Sequence, residues 1–182
     1  SRILDKKKLK KLKIQLDKDI YNIQNELDEK IPNDKLKIVF MPYKVAMWDC
    51  MESIWEAANA DKECMVYVVP IPYYERNTEG KLEKLCYEGE FFPDYVPIVS
   101  YKEFALNKEQ PDIIYIHNPY DGANYVTSVH PDYYSFNLKR FTENLIYIPY
   151  FLASNGPMPE THLNLPSYQH VDKIIVQDQE KA

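Results

Sequence analysis

"PDIIYIHNPYDGANYVTSVHP", residues 111–131, decides the fold. Its opening "DIIYIH" (112–117) is a short apolar run with turn-forming residues on either side. A run of that length, apolar at successive positions, is a strand covered on both faces. Comparable runs occur at "LKIVF" (36–40), "CMVYVVPI" (64–71), "NLIYIPYF" (144–151) and "VDKIIVQ" (171–177). Helical spacing fills gaps between them. "VAMWDCMESIWEAANA" (45–60) places Met47, Cys50, Met51, Ile54, Trp55 and Ala58 on one face, and "YYSFNLKRFTE" (133–143) is a second helix. "IVSYKEFAL" (98–106) reads as a short strand running into a helical turn, and 72–97 as a long loop of little period. Buried strands alternating with helices predict an α/β domain with a Rossmann-like, doubly wound, mostly parallel sheet.

Ahead of it, Leu9, Leu12, Leu16, Ile20 or Ile23, and Leu27 recur at helical steps, so residues 3–29 form one long amphipathic helix. "KIPNDK" (30–35) breaks it, which divides the chain into a helix at 1–34 and an α/β domain at 35–182. "DKKKLKKLK" (5–13) makes the start of the helix strongly basic. Either it packs on a partner helix or on the domain, or it rests on an anionic membrane surface. Asp17, Asp19, Glu26, Asp28 and Glu29 dilute the basic face and favour packing.

In a doubly wound sheet, ligands bind beyond the carboxyl ends of the strands. Here four strands exit through the same dipeptide: "MPYK" (41–44), "PIPYYER" (70–76), "HNPYD" (117–121) and "IPYF" (148–151). Proline has no N–H to donate and ends a central strand. The pairs either only terminate strands, or bring Tyr43, Tyr73, Tyr120 and Tyr150 together as an aromatic wall beside Lys44, Arg76, His117, Asn118 and Asp121. Such a wall suits a polyol or sugar carrying phosphate.

His117 sits in the crevice by position. It is a candidate general base, with Asp121 to orient its ring, or a brace for the loop. His130 either binds phosphate with Thr127 and Ser128 or caps the helix that follows, and capping is the expectation. His162 and His170 are expected at the surface.

With 182 residues and 45% hydrophobic content, the chain can bury one substantial core. A net charge of −6 argues against nucleic acid as a partner. Three cysteines at no ligand-like spacing predict neither a disulfide nor a zinc site. No apolar run reaches bilayer-spanning length and no signal-peptide pattern is visible. A cytoplasmic location is therefore expected, with the inner face of the plasma membrane included if residues 3–29 touch lipid. Only four glycines are present, and "MPYKVAMWD" stands where a dinucleotide or P-loop glycine motif would follow the first strand. No cofactor and no metal are expected.

"MPYKVAMWDCMESIWEAA", "VYVVPIPYYERNTEGKL", "YEGEFFPDYVPI", "PDIIYIHNPYDGANYVTSVHP" and "LIYIPYF" resemble the amino-terminal part of the CDP-glycerol glycerophosphotransferase family, relatives of the teichoic-acid glycerol-phosphate transferases. The resemblance covers roughly residues 36–177. It implies the amino-terminal half of a transferase of the glycosyltransferase B type, with an acceptor site here. The donor-binding carboxy-terminal half would lie outside this chain. It further implies CDP-glycerol as donor, a polyol-phosphate or glycan acceptor, and a histidine base, for which His117 is the position. The chain alone is expected to be inactive. A non-catalytic carbohydrate- or protein-interaction domain, or half of a nucleotide-sugar glycosyltransferase, remains an alternative.

Overall fold

The structure, a computed structural model, describes residues 2–30, 35–151 and 164–176. It divides into two compact units, Ser1–Lys35 and Leu36–Ala182. The described residues of the first carry the helix α1 (Arg2–Lys30).

The second unit is α/β. Strands β1 (Leu36–Met41), β2 (Cys64–Val68), β5 (Ile113–Ile116), β7 (Asn144–Tyr147) and β8 (Lys173–Ile174) form one sheet in the order β2-β1-β5-β7-β8. Every pairing in it is parallel. These are the five apolar runs of the sequence, shortened where prolines remove donors; Pro70 and Pro149 follow β2 and β7.

Helix α2 (Asp49–Ala60) covers one face: Trp48, Met51 and Trp55 pack with Ile38, Phe40, Val68, Phe92 and Val96. Phe40 lies edge-on to Trp48 at 6.4 Å and stacks on Tyr115 at 4.8 Å. Each such aromatic, fully removed from water, contributes on the order of 2 kcal/mol. The helix opens one turn later than the sequence predicts, because Val45–Met47 is a 3-10 turn.

The other face presents Val39, Met41, Ile114, Ile116, Leu145 and Tyr147. The short helix α4 (Ser135–Leu138) sends Leu138 onto it. A helix over 133–143 is not what forms. Its place is taken by 3-10 turns on either side of α4, and Thr142 is extended, its hydroxyl donating to the Asp112 carbonyl at 2.9 Å.

The segment 72–97, expected as an aperiodic loop, contains a hairpin. Strands β3 (Tyr73–Arg76) and β4 (Leu82–Cys86) pair antiparallel, and β6 (Thr127–Val129) pairs with β3 to complete a second, three-stranded sheet. Tyr73 and Val129 join it to the second core face. "NTEGK" (77–81) makes the turn: Asn77 Oδ1 accepts the Glu79 and Lys81 N–H groups, and Gly80 adopts φ 77°. Between the hairpin and β5, Ile98 bridges Val68 and Leu106–Glu109 forms the one-turn helix α3.

Candidate functional site

The order of the parallel sheet reverses between β1 and β5, since the chain moves outward to β2 on one side and to β7 and β8 on the other. Such a reversal opens a crevice at the carboxyl ends. Pro42, Tyr43 and Lys44 leave β1 there, and His117 and Asn118 leave β5. The two exits are joined directly: the Tyr43 N–H donates to His117 Nε2 at 2.9 Å.

That bond fixes the imidazole. With Nε2 accepting, the ring proton sits on Nδ1, which is buried and has no hydrogen-bond partner among the described residues. His117 is 1% exposed, and burial holds its pKa down at about 3. The neutral ring has no free lone pair in this arrangement. A base role requires Nε2 to be released from Tyr43, whereas the bracing role requires no movement. Asp121 does not orient the ring. Its carboxylate is buried elsewhere, accepting the Ser135 N–H at 2.9 Å and the Ser135 hydroxyl at 2.7 Å. Burial raises the Asp121 pKa, offset in part by the Ser135 bonds.

The four Pro-Tyr tyrosines do come together. Tyr43 meets Tyr73 edge-on at 5.5 Å and His117 at 5.0 Å, and His117 meets Tyr150 at 6.1 Å. Tyr120 lies close enough to Tyr150 to help raise its pKa. Two of the four are not at a rim, however. Tyr43 and Tyr73 are buried core residues. Tyr73 donates its hydroxyl to Glu88 Oε1 at 2.7 Å, while Glu88 Oε2 accepts the Val45 N–H at 2.9 Å. Tyr120 and Tyr150 are half-buried and complete the cluster toward solvent. Lys44 Nζ lies 5.1 Å from the Tyr73 ring centre and 5.7 Å from that of Tyr43. Burial is the main cause raising the Tyr150 pKa, with Tyr120 next, and burial likewise raises that of Tyr43. These hydroxyls stay protonated at neutral pH.

Other expected site residues serve the loops. The Arg76 guanidinium donates to the carbonyls of Gly80 and Gly122, clamping the hairpin turn to the loop after β5. Asn118 Oδ1 accepts the Tyr120 N–H at 3.3 Å. His130 caps the turn that follows it, Nδ1 accepting the Asp132 N–H at 3.3 Å, and its ring stacks on Tyr74 at 5.6 Å. Thr127 and Ser128 lie buried in β6, and the Ser128 hydroxyl is engaged by Tyr134 at 2.9 Å. His162 lies outside the described residues; His170 is half-buried beside Phe136 at 6.0 Å.

Three residues the sequence did not flag also belong to the cluster. Tyr147 ends β7 with its ring 5.4 Å from Tyr168, and both lie close enough to Tyr120 for its charge to bear on their titration. Ser167 ties this tail segment to the loop after β5, its N–H donating to the Pro119 carbonyl at 3.1 Å. "PSYQH" (166–170) repeats the coupling of a proline to a nearby tyrosine, the one signal that pointed there.

The arrangement offers tyrosine faces and hydroxyls, one flanking ammonium group and a neutral imidazole. Groups of this kind are chemically able to contact the hydroxyls and C–H edges of a ligand. Among the described residues no group of histidine, cysteine or acidic side chains could hold a metal ion, and no helix is long and apolar enough to cross a membrane. Compared with known proteins, the chain matches no family model, no curated protein and no solved structure.

Proposed function

We propose that the α/β unit is the acceptor-binding half of a glycosyltransferase-B-type enzyme that moves glycerol phosphate from CDP-glycerol to a hydroxyl of a cell-surface polymer or glycan precursor, working at the cytoplasmic side of the membrane. One observation carries it: the tyrosine cluster with Lys44 stands where the sheet order reverses between β1 and β5. Tyrosine faces suit the C–H edge of a polyol, their hydroxyls its hydroxyl groups, and Lys44 its phosphate. The resemblance of the chain's sequence blocks to the CDP-glycerol glycerophosphotransferases suggests the specific chemistry. In that reaction the acceptor oxygen forms a bond to the glycerol-bearing phosphorus, the bond from that phosphorus to CMP breaks, and the acceptor proton leaves. His117 can take that proton only after Tyr43 releases Nε2; until then it positions Tyr43.

A second reading, a non-catalytic carbohydrate-interaction domain, is favoured by the engagement of the one basic lone pair of His117, on Nε2, by the Tyr43 N–H. Calorimetric titration with glycerol-phosphate oligomers and with neutral oligosaccharides separates them. The transferase reading expects oligomer binding that Lys44→Ala weakens about tenfold and that Tyr150→Ala abolishes. Preference for the neutral sugar, indifferent to Lys44, would count against it.

A further inference from the structure

Helix α1 carries a feature that the crevice does not explain. Leu9, Leu12, Leu16, Ile20, Ile23 and Leu27 follow steps of three, four, four, three and four residues, one stripe along an α-helix. All six are between 47% and 66% exposed. The stripe is roughly 27 Å long. The charge is unevenly divided along it. Residues 6–16 hold Lys6, Lys7, Lys8, Lys10, Lys11 and Lys13 and no acid, whereas residues 17–27 hold Asp17, Asp19 and Glu26 against Lys18 alone.

We infer that α1 pairs with the α1 of a second copy of this chain, in antiparallel orientation. Two stripes laid parallel would set six lysines of one helix beside six of the other. Laid antiparallel about the middle of the stripe, Leu9 comes opposite the partner's Leu27, and the basic half of each helix lies along the acidic half of the other. Residues 8 and 26 then flank the seam on the same side, so Lys8 comes near the partner's Glu26, as flanking charges do in paired helices. A lipid surface is a poorer fit. It would want a polar face that is basic throughout and free of apolar residues, but Asp17, Asp19 and Glu26 interrupt the positive charge, and Ile14 and Tyr21, both exposed, lie off the stripe.

Sedimentation equilibrium of the full chain at 10–100 µM (concentrations on the order of those at which weak helix pairs form) tests the pairing. The expected result is twice the monomer mass. Ile20→Asp should raise the dissociation constant at least 100-fold. Because that variant can also unwind the helix, Lys8→Glu and Glu26→Lys are made singly and together: each alone weakens the dimer, and the pair restores it. Orientation is read by mixing Lys8→Cys and Glu26→Cys proteins, oxidising them, and mapping the linked peptides. Links between positions 8 and 26 are expected. Links from 8 to 8 would overturn the orientation. A monomer at the top concentration would overturn the pairing, as would a monomer that sediments with phosphatidylglycerol vesicles but not with phosphatidylcholine vesicles.

Discussion

Replacing His117 perturbs the point where β1 and β5 leave the sheet. The ring is fully buried and accepts one hydrogen bond, from the Tyr43 N–H. Removing it in His117→Ala opens a cavity costing about 2–4 kcal/mol and leaves the Tyr43 N–H without an acceptor, a further ~1–3 kcal/mol. Losing the unpartnered Nδ1–H returns about 1 kcal/mol, and partial collapse returns more, so a net loss of roughly 3 kcal/mol is expected. His117→Gln keeps an acceptor near the position of Nε2 and should lose about half as much.

The same burial sets a pH signature. The folded-state pKa of about 3 lies below the unfolded value of 6.5, so the unfolded chain takes up the proton first as pH falls. Stability from this residue is complete above pH 6.5 and is lost as pH drops toward 3, at up to roughly 1.4 kcal/mol per pH unit. Urea unfolding between pH 7 and pH 5 should show a slope in the parent protein that His117→Gln reduces. Unchanged stability in His117→Ala, or an unchanged slope in His117→Gln, would refute the buried brace.

Arg76→Lys should lose about 1–3 kcal/mol, nearly as much as Arg76→Ala, because an ammonium group cannot span the Gly80 and Gly122 carbonyls that the fork clamps; urea midpoints measure both. Glu88→Gln should cost about 1 kcal/mol in thermal unfolding, since one of its two bonds, to the Tyr73 hydroxyl or the Val45 N–H, is weakened. Gly80→Ala should cost about 1 kcal/mol at φ 77°, although nothing lies within 4 Å of an added methyl, so the loss reports backbone strain and not a clash.

The parallel sheet was legible because β1, β5 and β7 are apolar at successive positions and stop at prolines, a pattern that only burial on both faces requires. The small sheet was not. β4 is exposed at four of its five positions and β6 has only three residues, so neither leaves a periodic trace; the Asn77–Gly80 turn was its one local mark. Within the site, the convergence of the Pro-Tyr pairs was readable because strand ends share an edge. Which tyrosines face water was not, since the second sheet buries Tyr73 and Tyr43. Asp121 could not be assigned from spacing either, because its partner Ser135 lies on a different element and only the fold brings the two together. Its φ of 47° is a consequence of that loop.

The proposed acceptor site is tested most directly by following the amide and tyrosine ring signals of this chain by NMR while adding glycerol-phosphate oligomers and, separately, CDP-glycerol. Shifts at Tyr120, Tyr150 and Lys44 with the oligomer, and none there with CDP-glycerol, are expected. Shifts at those residues with CDP-glycerol alone would place the donor in this crevice and contradict the account.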